Sequence, residues 1–371
     1  MTPRERLLAV LSGKPVDRTP AWLLFPYHPT SYYVDVRTHP AYRSVAERSL
    51  TDAVTLNRRS FGVPLFSPDV KPFDITFTEN GETVKRTGWR SGKIELYSEK
   101  RTGESGTRVK RMLETDADLD QFLSLPVETD AQRICAILDQ QLARYEKERS
   151  EFPISSGAMM LDLGEPIGPI YSASKLEELS VWSASRSDDI KECLDRIMVQ
   201  KRILYDWCLE RELADVYFLV GSELAAPPFV SVKTFTRWIL PYAKELIERI
   251  HAKGRFVIQH FHGQIKRLLP HFVEMNPNGL HTIEAPPVGN CEMTEAFDIV
   301  GDRITLIGNI QYDDFRAFDE DRMRAEVRRL LKIVSGKRFI LSPTAGPYDP
   351  APPERLIQNY HAFLDEAQRT A

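Results

Sequence analysis

The chain has 371 residues, 42% of them hydrophobic and 27% charged, which suits one large domain or two ordinary ones and supplies a full core without cross-links. Its 49 Lys and Arg against 53 Asp and Glu leave a formal net charge of −4, so no basic field points to nucleic acid as a partner. This composition excludes disorder, collagen-like repeats and coiled coil as the main architecture.

In chain order, Thr2 and Pro3 predict the N-cap and first turn of a helix through Leu11. That opening is charged and helical, not a signal peptide, and no stretch approaches the roughly 18 apolar residues of a membrane span. A cytoplasmic protein is expected. Ala21 to Phe25 reads as a short buried strand, and a poorly marked one lies near Ala53 to Leu56. Within residues from about 73 to 109, Asp74 to Thr78 and Gly92 to Tyr97 alternate and Glu79-Asn-Gly-Glu82 is a hairpin turn, which predicts an antiparallel β-hairpin inserted in the N-terminal half. Asp116 to Glu148 is helical.

The second half repeats one unit: a short apolar run, a polar or Gly/Pro end, then an amphipathic helix. Ile154 to Leu161, Val216 to Val220, Phe256 to Gln259, Leu280 to Ile283, Ile304 to Ile307 and Phe339 to Leu341 are the runs. The last five start at 216, 256, 280, 304 and 339, the spacing of successive βα units. A (β/α)8 TIM barrel spanning residues 1–371 as a single domain is the simplest architecture. A doubly wound open sheet is the alternative, but no Gly-rich phosphate turn follows any strand. Cys135, Cys193, Cys208 and Cys291 are scattered without C-x-x-C spacing, so thiols in a reducing compartment are expected, not a disulfide framework.

In such a barrel the residues just past each strand's C-terminal end converge on one mouth. These are His28, Asp162, Glu165, Glu223, His260, His262, Glu284, Asn309, Gln311, Thr344 and Tyr348. On extended backbone, His260 and His262 point the same way, so both imidazoles can reach one ion, with Glu223 as a third ligand. The other reading makes one imidazole a hydrogen-bonded structural residue and lets the second face substrate. Glu223 and Glu284 follow buried strands and are metal ligands, raised-pKa acids or partners of Arg. Asn309 and Gln311 are orienting amides. Tyr27, Tyr32, Tyr33, Phe61 and Phe66 either wall an aromatic pocket or pack in the core; His39, His251, His271 and His361 are surface or packing residues.

Several stretches carry a family resemblance: residues 4–20 at the start, the run from Pro241 to Ile247, Gly254 to Gly263, Leu306 to Ile310, and the last helix around Asn359. Together they resemble the uroporphyrinogen decarboxylase-like superfamily, which implies a (β/α)8 barrel and is compatible with a homodimer. That superfamily holds the decarboxylase and methyltransferases that work with corrinoid proteins. The decarboxylase carries an Arg-rich signature after its first strand, where this chain has Phe25 to Pro29 without Arg. The methyltransferase branch, with its inserted hairpin, is the better likeness. Its zinc ligands follow an H-x-C motif with a second Cys after the last strand. Here His260 matches the His, His262 stands at the first Cys position, and Thr344 or Ala345 at the second.

The resemblance therefore implies a methyltransferase or O-demethylase that moves a methyl group from a methyl ether or methylamine to a corrinoid on a partner protein. His260, His262 and Glu223 activate the donor, with or without Zn2+ or another divalent metal. Tyr27, His28, Asp162, Glu165, Glu284, Asn309, Gln311, Thr344 and Tyr348 surround the substrate. The runner-up is decarboxylation of a carboxylate substrate with Asp162 or Glu165 as proton donor; a non-catalytic ligand-binding barrel is the third reading.

Overall fold

A computed structural model describes residues 1–369. Thr2 caps the first helix, Pro3–Leu11, accepting from the Glu5 N–H while the Glu5 carboxylate accepts from the Thr2 N–H, a reciprocal arrangement that satisfies two orphan donors. Strand β1 (Thr55–Arg59) follows. Then β2 (Lys71–Glu79), β3 (Glu82–Ser91), β4 (Ile94–Gly103) and β5 (Gly106–Lys110) form a separate antiparallel sheet. The chain continues through β6 (Gly157–Leu161), β7 (Val216–Leu219), β8 (Phe256–His260), β9 (Gly279–His281), β10 (Thr305–Ile310) and β11 (Phe339–Pro343). These six join β1 in one parallel sheet in the order β1-β6-β7-β8-β9-β10-β11. Helices such as Ser187–Glu210, Leu240–Ala252, Glu320–Ile333 and Glu354–Gln368 flank it. No helix among the described residues is long and apolar enough to cross a membrane.

The two edges of the parallel sheet meet on two residues. Ala21 bridges to Leu341 of β11 and Trp22 to Val54 beside β1, both parallel, through Trp22 N–H to Leu341 O at 2.8 Å and Val54 N–H to Ala21 O at 2.7 Å. The strand expected over Ala21 to Phe25 is thus cut to a two-residue bridge. Leu24 adopts a left-handed φ of 57°, which ends extended pairing, and Pro26 offers no N–H to resume it.

The insertion is also larger than the expected hairpin. Asn80 and Gly81, at φ 53° and 78°, make the anticipated turn, as the right-handed twist of a two-residue hairpin requires. Two further strands extend the meander through Lys110. β5 was illegible because its residues are almost all exposed, so no alternation of apolar and polar residues marks it. Trp89 on β3 anchors this sheet, packing on Phe66 and Phe122 with centroids 5.0 and 6.4 Å apart.

Alternate strand residues fill the barrel. Trp22, Leu56, Met160, Phe218, Ile258, Ile307 and Ile340 form one buried cluster, sealed at the N-terminal end by Leu7, Val10 and Leu11 of the first helix. Gly279 lacks a Cβ where one would lie 2.9 Å from Ile307 Cδ1, which lets β9 fit this interior. Each buried aliphatic side chain stabilises by about 1.5–3 kcal/mol, so the barrel is a packed core and a ligand belongs at its C-terminal mouth.

Candidate active site

Strand register determines which polar side chains reach that mouth. Ile258 faces inward, so His260 two residues on does also, and His281 stands directly opposite it across the β8–β9 pair. Leu56 faces inward on β1, which brings Arg58 to the same side. The inward positions carry apolar side chains up to the level of Phe218 and Ile307, then imidazoles and a guanidinium.

The imidazoles are in direct contact. His260 and His281 stack at 4.9 Å with their Nδ1 atoms 2.7 Å apart, and His281 Nε2 lies 3.1 Å from the Pro343 carbonyl. His262 meets His260 edge to face at 4.6 Å. Burial, with the adjacent His281 and the nearby His262 and Arg58, holds His260 well below the usual imidazole range, while burial takes His281 down to about 3. His262 goes the other way. Burial alone would lower it, but a hydrogen bond to Glu284 Oε1 at 3.3 Å, with the charges of Glu284 and Glu223, raises it. Burial likewise works against the Glu284 charge, yet His262 and the Gly263 N–H, which donates to Oε2 at 2.6 Å, hold its carboxyl below the usual range. Two adjacent imidazoles are thus shifted in opposite directions, His260 toward its neutral form and His262 toward its cationic form.

Two buried carboxyls follow: Glu223 lies within charge range of His262, and Glu165 within charge range of Glu223. Glu165 is fully enclosed and accepts from Ser222 Oγ at 2.6 Å; burial pushes it up to about 8, with the Glu223 charge adding to the rise. Burial raises Glu223 as well, against the Gly221 N–H that donates to it at 2.7 Å and the charges of His262 and Arg58. Arg58 is paired with Asp162, its Nε 3.1 Å from Oδ2, and lies over Phe218 and Tyr32 at 4.9 and 4.8 Å. Beside it opens a cleft of about 240 Å³ bounded by Thr30, Tyr32, Arg58 and Asp162. Phe218 touches both Arg58 and His260, the latter at 5.4 Å, and so links this cleft to the imidazoles.

Several expected site residues have other duties. His28 is held by Asn57 and Glu151 through its two ring nitrogens, at 3.0 and 3.2 Å. Asn57 alternates with the inward Leu56 and Arg58, so His28 lies outside the barrel, and Tyr27 packs beside it on Phe152 and under Arg37. Both leave the mouth because the turn after Leu24 carries the chain over the rim. Asp162 is consumed by Arg58. Asn309 donates to the Ile283 carbonyl at 2.7 Å, and Thr344 ties its loop to Tyr312 N–H and Gln311. Gln311 also lies against Glu284 and favours its charged form. Tyr348 is half exposed at the rim, between Tyr33 and Tyr312. Tyr32 and Tyr33 do wall the mouth, and Tyr33 fits because Gly346 has no Cβ, which would meet its ring at 2.3 Å. Phe61 and Phe66 pack in the outer core. Sequence reasoning missed His281 and Arg58, although inward alternation from Gly279 and Leu56 carries the signal for both.

The expected metal set does not assemble. Among the described residues no three His, Cys, Asp or Glu side chains gather closely enough to hold a metal ion. His260 spends Nδ1 on His281, His262 spends Nδ1 on Glu284, and Glu223 accepts from the Gly221 N–H. Those contacts leave Nε2 of both imidazoles open, and a three-ligand zinc site fails here because no third ligand gathers beside them among the described residues.

Residues 174–370, just over half the chain, match the family model for uroporphyrinogen decarboxylase (URO-D). The chain belongs to the URO-D family. Within that family its likeness runs to methyltransferases. It is 25% identical over 239 residues to the methylcobamide:CoM methyltransferase MtaA of Methanosarcina barkeri, covering 63% of this chain. The same protein from M. barkeri strain Fusaro / DSM 804 gives the same match. The chain spans 64% of the length of these curated relatives. In fold it is similar to a methyltransferase from Methanosarcina mazei, with a TM-score of 0.59 at 17% identity and 99% of each chain covered.

Proposed function

We propose that this URO-D family chain is a cytoplasmic methyltransferase that takes a methyl group from a small ether or amine and passes it to a corrinoid carried by a partner protein. The observation that supports the reading is the His262–Glu284 pair: a carboxylate that favours the cationic form of an imidazole at the mouth, near Glu165, whose acid form burial favours. When the methyl carbon accepts an electron pair from the acceptor, the electrons of the broken C–O or C–N bond remain on the heteroatom, which leaves readily only with a proton. His262 supplies that proton, Glu284 stabilises the charged form beforehand, and Glu223 returns a proton afterwards. His260 orients the donor, while Arg58 and Tyr32 hold its body in the adjoining cleft. Glu165, locked under Ser222, keeps a neutral acid beneath Glu223.

A second reading, decarboxylation, draws on the family model and on Arg58, a guanidinium able to grip a carboxylate. Against it, Asp162 already occupies Arg58 and cannot serve as the free proton donor. The deciding experiment incubates the protein with reduced cobalamin and a panel of methyl ethers and methylamines, following the cobalamin spectrum and the demethylated product. Methyl transfer that falls about 10²–10⁴-fold in His262→Gln supports the proposal. Carbon dioxide release from a carboxylated substrate without methyl transfer, or full activity in His262→Gln, overturns it.

A further inference from the structure

We infer that His281, buried beneath the mouth, sets the tautomer of His260 and so presents a bare Nε2 on His260 to whatever occupies the hollow. The argument begins at a backbone carbonyl, which can only accept. Pro343 O, 3.1 Å from His281 Nε2, therefore requires the proton on that nitrogen. His281 is fully buried, packed against Trp22 at 5.4 Å and His260, and no carboxylate touches it among the described residues. A second proton would make it an unpaired cation in the core, at a cost of several kcal/mol. His281 is therefore neutral and its Nδ1 carries a lone pair.

That lone pair lies 2.7 Å from His260 Nδ1, a distance that demands one proton between the two rings. Since His281 Nδ1 has none, His260 Nδ1–H donates it. A neutral His260 then has no proton left for Nε2, an atom without a protein partner among the described residues, on a ring that sits edge-on to His262. Strand geometry enforces the whole relay: β9 pairs His281 with His260 on one side and with Ile307 on the other, while β11 ends on the carbonyl that starts it.

A neutral acceptor at His260 and a donor at His262, whose cationic form Glu284 favours, thus stand side by side on adjacent rings. The consequence for substrate rests on the proposed reaction: the methyl donor carries an O–H or N–H for His260 Nε2 next to the heteroatom that His262 protonates. The relay itself does not rest on it, so the two can fail separately. His281 is a positioning residue, because it acts through His260.

Nitrogen NMR on protein labelled with ¹⁵N-histidine reads the tautomer directly, with His260 assigned by its loss in His260→Gln. In the unmodified protein, His260 should show a protonated Nδ1 and a bare Nε2, unchanged from about pH 6 to 8. A proton on Nε2, or on both nitrogens, overturns the inference without any variant. His281→Phe keeps ring volume and removes the acceptor, so His260 should move to the Nε2–H form. Methyl transfer should then fall roughly 10–100-fold in kcat with KM changed far less. An unaltered tautomer in a folded His281→Phe, or a switched tautomer with kcat intact, also refutes the role.

Discussion

Replacing Glu284 by Gln removes the charge that raises His262 while preserving size and an acceptor for the Gly263 N–H. A hydrogen bond between charged partners contributes about 1.5–3 kcal/mol; the His262 side chain is 39% exposed, and water screening brings the expected loss to about 1–2 kcal/mol. The sign depends on pH. His262 lies above its ordinary 6.5, so its share of the pair is present below that value and disappears as pH rises through the folded-state value. Glu284 lies below its ordinary 4.5, so its share is present above that value and disappears as pH falls through the folded-state value. Wild type should therefore exceed Glu284→Gln most between about pH 4.5 and 6.5, with the gap closing on the alkaline side. Urea unfolding at stepped pH measures the gap, and proton NMR of His262 follows its titration, which should move down in the variant. A gap independent of pH, or an unmoved His262 titration, would refute the coupling.

Glu165→Gln should do the opposite to stability. Burial holds Glu165 protonated up to about 8 against an ordinary 4.5, so between these values the folded chain binds the proton more tightly and stability declines with rising pH, by at most about 1.4 kcal/mol per pH unit. Gln keeps the acceptor for Ser222 without titrating, and urea midpoints should lose that slope; an unchanged slope would contradict the assignment. Thiol labelling of the native protein should modify Cys135 quickly, because Cys193, Cys208 and Cys291 are buried and burial raises all three thiols. Rapid reaction of a second cysteine before unfolding would show that the helix packing is looser than described.

Much of the barrel was legible in advance because its strands are short apolar runs at regular spacing, bounded by Gly, Pro and polar residues. β6 to β11 stand within a few residues of the expected runs. The errors have local causes: the left-handed Leu24 shortens the first segment to Ala21 and Trp22, and exposed β5 offers no pattern to read. His260 and His262 were visible because a two-residue spacing on a strand is itself a statement about direction.

Charge states were not visible. Sequence offered His260, His262 and Glu223 as equivalent ligands, whereas the fold gives each nitrogen or carboxyl a different neighbour and so a different proton. The composition, the helix caps and the alternation of apolar and polar residues belong to the chain itself, because they act over a few positions. The pairing of His281 with His260 and Pro343, of Glu284 with His262, and of Arg58 with Asp162 joins residues from 21 to 104 positions apart. Only pairing of the strands in the parallel sheet brings them within hydrogen-bonding distance, and at that range proximity decides which groups carry charge.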